Sequence, residues 1–374
     1  MQPRWADEVT AVLGPVLLGR HDEIDRLGRL PADVVQAMHR SGLFRTWIPD
    51  EFGGRDASVA DGLALIEAVS ALDSSVGWVA MIDMTTTYLA GAIDRDAARE
   101  IFSDPRAVVG GTTAPTGRAE PVPGGLKLSG RWSWGSSIHN ATWMACGAML
   151  QGERPRPVLA LVEVGNLQIL DTWHVSGMRG TGSTDYVAHD VFVPEGRVLD
   201  LAKGAPWSDR PLHRFAIFSL LALAVSSVAI GLGRRALDEF HALATDRTQL
   251  GRQGPIAAGP VAQAAYAQAE AAVRSASAFK DQVVAEAWHQ ALEGTLTVPT
   301  RRLLRLAATN AAWASTRATD QLWEHAGAAV VYDRAVLSRL QRDLHVLTQH
   351  FRIAARTWEM CGALGLGQAF DGQL

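Results

Sequence analysis

Apolar residues recur at helical spacing in the first and last parts of this chain, and they alternate in short runs between those parts. From 1 to about 40 the pattern is helical, with Pro31 in the first turn of a helix that ends at Ser41-Gly42. Leu43 to Phe52 reads as an extended apolar run closed by a Gly53-Gly54 turn. From Ser58 to about Arg99, Leu63, Ile66, Val69 and Leu72 keep helical spacing, and the small residues from Ser70 to Gly77 mark a break between two helices. After Pro105 the pattern changes. Val108–Thr113, Leu126–Leu128, Trp143–Leu150, Val158–Val164 and Tyr186–Val193 are short β-type runs, with hairpin turns expected at Pro123-Gly124-Gly125 and Ser129-Gly130. Several strands without a helix between them predict a small antiparallel barrel or sandwich. Beyond Pro211, helical runs cover about 212–246, 259–293, 298–327 and 334–360, and four long helices with short loops read as a bundle. The expected fold is mainly α with a central β domain: an N-terminal helical domain (1–105), an antiparallel β domain (106–205) and a C-terminal four-helix bundle (206–374).

One stretch of that bundle carries chemistry. Taken as a helix, Arg339–Phe351 puts Leu340, Leu344, Leu347 and Phe351 on one apolar stripe, with His345 and Gln349 facing away. Asp343 and His350 share the stripe. Titratable groups on a core-facing stripe need partners. Two readings follow: a satisfied core histidine beside a structural Arg342-Asp343 pair, or an acid/base facing a pocket.

Composition narrows the function class. The 374 residues are 48% hydrophobic and 20% charged, which is ordinary for a globular protein with more than one core. A net charge of −4 gives no reason to expect nucleic acid or an anionic membrane as partner. Two cysteines, Cys146 and Cys361, exclude a disulfide framework and a thiolate metal cluster and suit a reduced, cytoplasmic setting. The first residues lack the basic and apolar regions of a signal peptide. Phe215–Gly233 is almost uncharged over a length close to a membrane span. Serines and alanines dilute it and Arg234-Arg235 follow, so a helix buried in the bundle is expected. Gly231-Leu232-Gly233-Arg234-Arg235-Ala236 matches a dinucleotide fingerprint in letters only, because a helical run precedes it and Asp246 comes too early. No HExxH zinc motif and no GxSxG nucleophile elbow occur.

Five segments, in order, resemble the acyl-CoA dehydrogenase superfamily. They are Ile48-Pro49-Asp50-Glu51-Phe52-Gly53-Gly54; Gly130-Arg131-Trp132-Ser133-Trp134-Gly135-Ser136-Ser137; the run from Trp173 to Ser183 with Val191-Phe192-Val193-Pro194-Glu195; Arg247-Thr248-Gln249-Leu250-Gly251; and Gly327 to Asp343 with its closing Arg-Asp. The resemblance spans about 40–370 and implies the family's helical domain, small β domain and four-helix bundle. It also places Trp134, Ser136 and Ser137 against a flavin ring, and Arg247 and Gln249 near a flavin phosphate across a subunit boundary.

The departures from the family carry the function. The dehydrogenases' glutamate base is replaced here by Phe351, which cannot abstract a proton, and His350 stands beside it. That pattern is similar to the two-component flavin-dependent monooxygenase branch. The resemblance implies reduced FMN or FADH2 from a separate reductase, O2, and hydroxylation of a phenolic or polycyclic aromatic substrate through a C4a-hydroperoxide. In that reading His350 is the substrate's base, with an ordinary pKa near 6.5. Ser136 bonds flavin N5, and Trp132, Trp134 and Trp143 form a dry wall, with Trp132 and Trp134 sharing one strand face. Glu324 and Ala328 replace residues that grip the FAD diphosphate in the dehydrogenases, which leaves FMN open. The branch's histidine near the end of the second helical segment has no counterpart between His39 and His139. Apolar surface on Phe215–Gly233 and Ala257–Ala278 implies a homotetramer formed through the bundle. The rival readings are a dehydrogenase with a relocated base, an N- or S-oxygenase on the same fold, and a non-catalytic flavin-fold binding protein.

Overall fold

The computed structural model describes residues 4–201, 207–247 and 254–369. The N-terminal part holds α1 (Arg4–Leu17), α2 (His21–Leu27), α3 (Ala32–Arg40), α4 (Val59–Leu72), α5 (Ser74–Thr86) and α6 (Arg95–Phe102). Pro31 stands at the N-cap position of α3, one residue before the helix rather than inside its first turn. The run after it is not extended. Leu43–Arg45 and Asp50–Phe52 are 3-10 turns, and Ala57 and Asp56 N–H return to the Thr46 and Ile48 carbonyls. Pro49 and the left-handed Gly53 bend the segment back on itself, so Trp47 and Ile48 reach the core from turns. The break between α4 and α5 falls at Asp73, whose carboxylate accepts the Ser75 and Val76 N–H groups and starts the second helix.

The central domain is one sheet of β1 (Val109–Val122), β2 (Gly125–Trp132), β3 (Trp143–Leu150), β4 (Arg156–Glu163), β5 (Gln168–Ile169), β6 (Tyr186–Pro194) and β7 (Val198–Asp200), in the order β5-β6-β2-β1-β3-β4-β7. Its pairing is mixed rather than wholly antiparallel. After the β1–β2 hairpin the chain crosses back and lays β3 along the other edge of β1, parallel to it. Ser129-Gly130 is not a turn but lies inside β2, where the register against β6 shifts. A side chain at 130 would meet the Gly117 Cα at 2.8 Å, so the glycine serves close strand approach.

The C-terminal part holds α7 (Pro211–Arg214), α8 (Ile217–Asp246), α9 (Pro260–Leu292), α10 (Val298–His325), α11 (Val336–Leu347) and α12 (Arg356–Gly365). Helix α8 is long and apolar enough to cross a membrane, yet 83% of its most apolar window is buried inside the protein. The glycines of the false dinucleotide fingerprint explain themselves here: a Cβ at Gly231 would lie 2.4 Å from the Glu67 carbonyl oxygen of α4. Where α4, α8 and α9 meet, Glu67 takes Lys280 and Arg234, so the buried charges are paired.

The last expected helix is two. Helix α11 stops at Leu347, where the Thr348 hydroxyl turns back to the His345 carbonyl and the next N–H groups make tighter bonds. A turn then runs to α12, pinned by the Trp313 indole N–H on the Ile353 carbonyl at 3.0 Å. Leu340, Asp343, Leu344 and Leu347 are buried as the stripe requires, but Phe351 is 52% exposed, and His350 stands in the turn rather than on a helix.

Asp343 ties the three parts together. It accepts the Met178 N–H at 2.5 Å and the Ser74 hydroxyl. Gly177 permits this approach, because a Cβ there would meet the Arg342 backbone at 2.6 Å. Replacing Asp343 with alanine leaves a buried N–H and a buried hydroxyl without partners, and should cost about 2–3 kcal/mol in denaturant unfolding. Asp343→Asn keeps an acceptor and removes the burden of ionising a buried acid, and should stay within about 1 kcal/mol of the parent. Equal losses in both variants would mean that the negative charge, not the acceptor, joins these parts.

Candidate active site

The site is organised by α5, a helix whose only charged residue is Asp83. Trp78, in its second turn, donates its indole N–H to Ser136 Oγ at 3.0 Å. The same ring meets the His350 imidazole edge-on, with centroids 5.7 Å apart at 76°. The two residues expected to do the chemistry, far apart in sequence, thus stand on either side of one indole. Nothing in the periodicity marked Trp78, because every face of α5 is apolar.

Ser136 belongs to the Trp134–Ser137 turn and is buried. The turn is held by Gly135 N–H on the Thr184 carbonyl at 2.9 Å and Ser136 N–H on the Trp134 carbonyl at 2.8 Å. Ser136 Oγ also lies 2.7 Å from Ser183 Oγ, which lies 2.8 Å from Thr181 Oγ1. A hydroxyl has one proton and two acceptor positions. The Thr181 hydroxyl donates to the Met178 carbonyl at 2.9 Å, so Ser183 donates to Thr181 and Ser136 to Ser183, and Ser136 keeps one acceptor position beside the one Trp78 fills.

Trp134 is 70% exposed at φ +61, while Trp132 is fully buried and stacked on Tyr186 at 5.3 Å. They do not share a face, because the strand ends at Trp132 and the left-handed residue re-aims the chain. Trp143 packs under the Arg197 guanidinium at 4.7 Å and against the cluster where the sheet meets the N-terminal part, so it too stands apart from a common wall. Ser137, at φ +72, turns inward and donates its hydroxyl to Asp83 Oδ2 at 2.9 Å. Asp83 was not singled out from the sequence, although it is the one charged residue between Asp73 and Asp94. Burial raises its carboxyl well above the usual range, opposed only by the Ser137 hydroxyl.

His350 is half-buried, and its Nδ1 accepts the Arg352 N–H at 3.4 Å, which leaves the neutral ring's proton on Nε2. Burial first, then the positive charges of Arg352 and Arg305, push the imidazole down to about 3. The ordinary value expected from sequence does not apply. Arg352 lies over the Phe218 ring at 3.7 Å and the Phe351 ring at 4.5 Å, and Arg305 is 3% exposed. Arg247 ends α8, exposed and 3.9 Å from Asp246, and Gln249 lies outside the described residues. Among the described residues no group of three metal-ligating side chains exists. The residues present fit a flavin ring: an exposed indole for a planar surface, and beside it a buried hydroxyl able to accept.

Comparison with known proteins agrees. Residues 2–100 match the family described as acyl-CoA dehydrogenase, N-terminal domain, and 223–355 match acyl-CoA dehydrogenase, C-terminal domain. The chain is 34% identical to indole-3-acetate monooxygenase of Pseudomonas putida, over 93% of this chain and 90% of that protein. It is 31% identical to the oxygenase component of the FADH2-dependent resorcinol hydroxylase of Rhizobium sp., over 92% and 88%. The solved structure of XiaF from Streptomyces sp., in complex with FADH2 and glycerol, superimposes with a TM-score of 0.93 at 25% identity, covering 99% of this chain and 97% of that one. This chain belongs to the oxygenase components of flavin-dependent monooxygenases built on the acyl-CoA dehydrogenase fold, enzymes that work with reduced flavin.

The environment of His350 has a measurable consequence. Its imidazole is neutral in the folded chain down to about pH 3, whereas the unfolded chain takes up that proton near pH 6.5. Stability from this group is therefore full above about pH 6.5 and lost as pH falls towards 3. The melting temperature of the parent should drop more steeply between pH 6.5 and 4 than that of His350→Gln. Parallel curves would mean that the ring titrates near its ordinary value.

Proposed function

We propose that this flavin-dependent oxygenase hydroxylates a small phenolic or polycyclic aromatic substrate, with the flavin ring against Trp134 and Ser136 and the substrate oxygen at His350. The observation that carries the reading is the Trp78 indole, which bonds Ser136 and packs on His350. The names of the relatives, which act on resorcinol and indole-3-acetate, support an aromatic substrate. Reduced FMN or FADH2, delivered by a separate reductase, activates O2 when bound and supplies the oxygen that is transferred.

The remaining work belongs to the chain. Ser136 Oγ would accept the N5–H of the reduced flavin with its remaining acceptor position, and Trp78 fixes that hydroxyl while covering the site from water. His350 stays neutral and donates from Nε2 to the substrate oxygen. A conjugate acid near pKa 3 makes it a poor base, so it orients the phenol and does not deprotonate it. The positive field of Arg305 and Arg352, which resists a charged imidazole, favours a negative oxygen instead. A phenol therefore binds as its phenolate, with its proton gone to solvent, and the ring carbon ortho to that oxygen becomes the better nucleophile. Arg247 serves a flavin phosphate of a neighbouring subunit in a homotetramer, a role compatible with its exposed place at the end of α8. The burial of α8 inside the protein speaks against that helix spanning a membrane.

Ser136→Ala should bind substrate but release more hydrogen peroxide per product, measured by coupling assays with reduced flavin. His350→Ala should slow hydroxylation about 10²–10³-fold, the usual loss for one preorganised donor. The parent's rate should show no limb near pH 6.5 and should follow the ionisation of the phenol across a series of substituted substrates. A limb at 6.5 that vanishes in His350→Ala would restore the imidazole as base. His345→Ala, whose ring is exposed on Asp320, serves as the control and should be near the parent.

A further inference from the structure

We propose that Asp83 is a positioning residue of this site: through Ser137 it fixes the Trp134–Ser137 turn and so aims the neighbouring Ser136 hydroxyl. The assignment rests on the reading above for what Ser136 faces, but its geometry stands in the chain itself. Asp83 is 1% exposed, its Oδ2 accepts the Ser137 hydroxyl at 2.9 Å, and its Oδ1 has no partner. The turn it holds contains two non-glycine residues in the left-handed region, Trp134 at φ +61 and Ser137 at φ +72. Residues there persist only when their surroundings over-determine them.

Helix α5 supplies that constraint twice. Trp78 takes Ser136 and Asp83 takes Ser137, so two successive hydroxyls of the turn are held by two residues of one rigid helix. Thr86, three residues beyond Asp83, bonds the Val109 carbonyl, which locks β1 to the same helix. A Cβ on Gly110 of β1 would lie 2.7 Å from the Ser136 carbonyl oxygen, so the turn has no slack on that side. Releasing Ser137 therefore frees the side-chain attachment that holds the left-handed residue next to Ser136.

The chemistry of the pair explains why a carboxyl serves. No charged side chain contributes to the shift of Asp83; burial raises it and only the Ser137 hydroxyl opposes. Burial thus favours the protonated acid, which is close to asparagine in shape and charge. The unfolded chain loses that proton above about pH 4 while the folded chain keeps it. The stability Asp83 contributes is thus present at low pH and lost as pH rises through its folded value.

The test has one arm without cofactor and one with it. In flavin-free protein, melting temperature should fall from pH 5 to 9 more steeply in the parent than in Asp83→Asn, which has no proton to lose. With reduced flavin, Asp83→Leu should bind roughly tenfold more weakly in anaerobic titration, as expected when a strained turn relaxes, and should leak more peroxide. Asp83→Asn should rescue both. Asp83→Leu with Ser137→Gly should also recover, because glycine takes a φ of +72 without the bond. Asp83→Asn failing like Asp83→Leu, or Asp83→Leu matching the parent, overturns the proposal. So does a glycine that fails to restore binding. If Asp83→Leu does not fold, the pH arm with Asp83→Asn still decides, with identical slopes counting against it. Should Ser136→Ala leave coupling unchanged, the site reading fails alone, while the flavin-free arm still judges Asp83.

Discussion

The buried carboxylate of Asp343 accepts the Met178 N–H and the Ser74 hydroxyl at once, and the geometry of the site descends from that meeting. Ser74 opens α5, and Trp78 follows one turn later. Met178 opens the segment that runs through Thr181 to Ser183, whose hydroxyl touches Ser136. Asp343 itself lies on the helix whose end presents His350. One acceptor therefore sets the distance between the helix that carries the indole, the loop that carries the hydroxyl relay and the turn that carries the imidazole. The cost is a desolvated acid, raised to about 6 by burial and by Asp25, against the help of Met178, Ser74 and Arg339. Nearby, Asp73 is held low by His21 and Arg339 and caps α5, so the same helix start is fixed from two sides.

Burial also settles the charge state of the site. It drives the Asp83 carboxyl up and the His350 imidazole down, so it works against the charged form of each. Two titratable residues in one dry place would normally suggest an acid and a base with separated values. Here they are separated in the sense that removes charge from each. What charge remains is positive, on Arg305 and Arg352, and in the proposed function it acts on the oxygen that His350 orients. A neutral pocket with a cationic backdrop is poor at abstracting protons and good at stabilising a phenolate, which suits a reaction whose hard step belongs to the cofactor.

The fold was largely legible in the sequence, because element type follows periodicity and composition, and those survive burial. The helical ends, the central strands and the break at Asp73 all follow from spacing and capping chemistry. Strand direction did not follow, since alternation in β1 and β3 carries no sign of which way a neighbour runs. The short β5 and β7 were too brief to alternate. At the site, Ser136 and His350 were named from the resemblance, and the chain does bring them together. Trp78 and Asp83 were missed for one reason: α5 is buried on nearly every face, and a helix with no polar side gives no pattern against which a special residue stands out. The shared face given to Trp132 and Trp134 failed because one left-handed residue cancels the two-residue period of a strand.

The end of α11 carries the change of chemistry. In an uninterrupted helix, residue 351 would lie on the stripe of Leu344 and Leu347 and would point at the core. Because the helix stops at Leu347 and the chain tightens through Thr348, Phe351 swings out to 52% exposure, and His350 instead meets Trp78. The loss of the dehydrogenase base is therefore more than a change of side chain at 351. The backbone turns position 351 outward, and a carboxylate placed there would sit in water beside Arg352. What the turn presents instead is an imidazole whose Nδ1 is already occupied by the Arg352 N–H, so a single ring nitrogen, bearing a proton, is left for the substrate oxygen of the proposed function. The specificity of this site for oxygen transfer over thioester oxidation thus lies in where a helix ends as much as in which residue follows it.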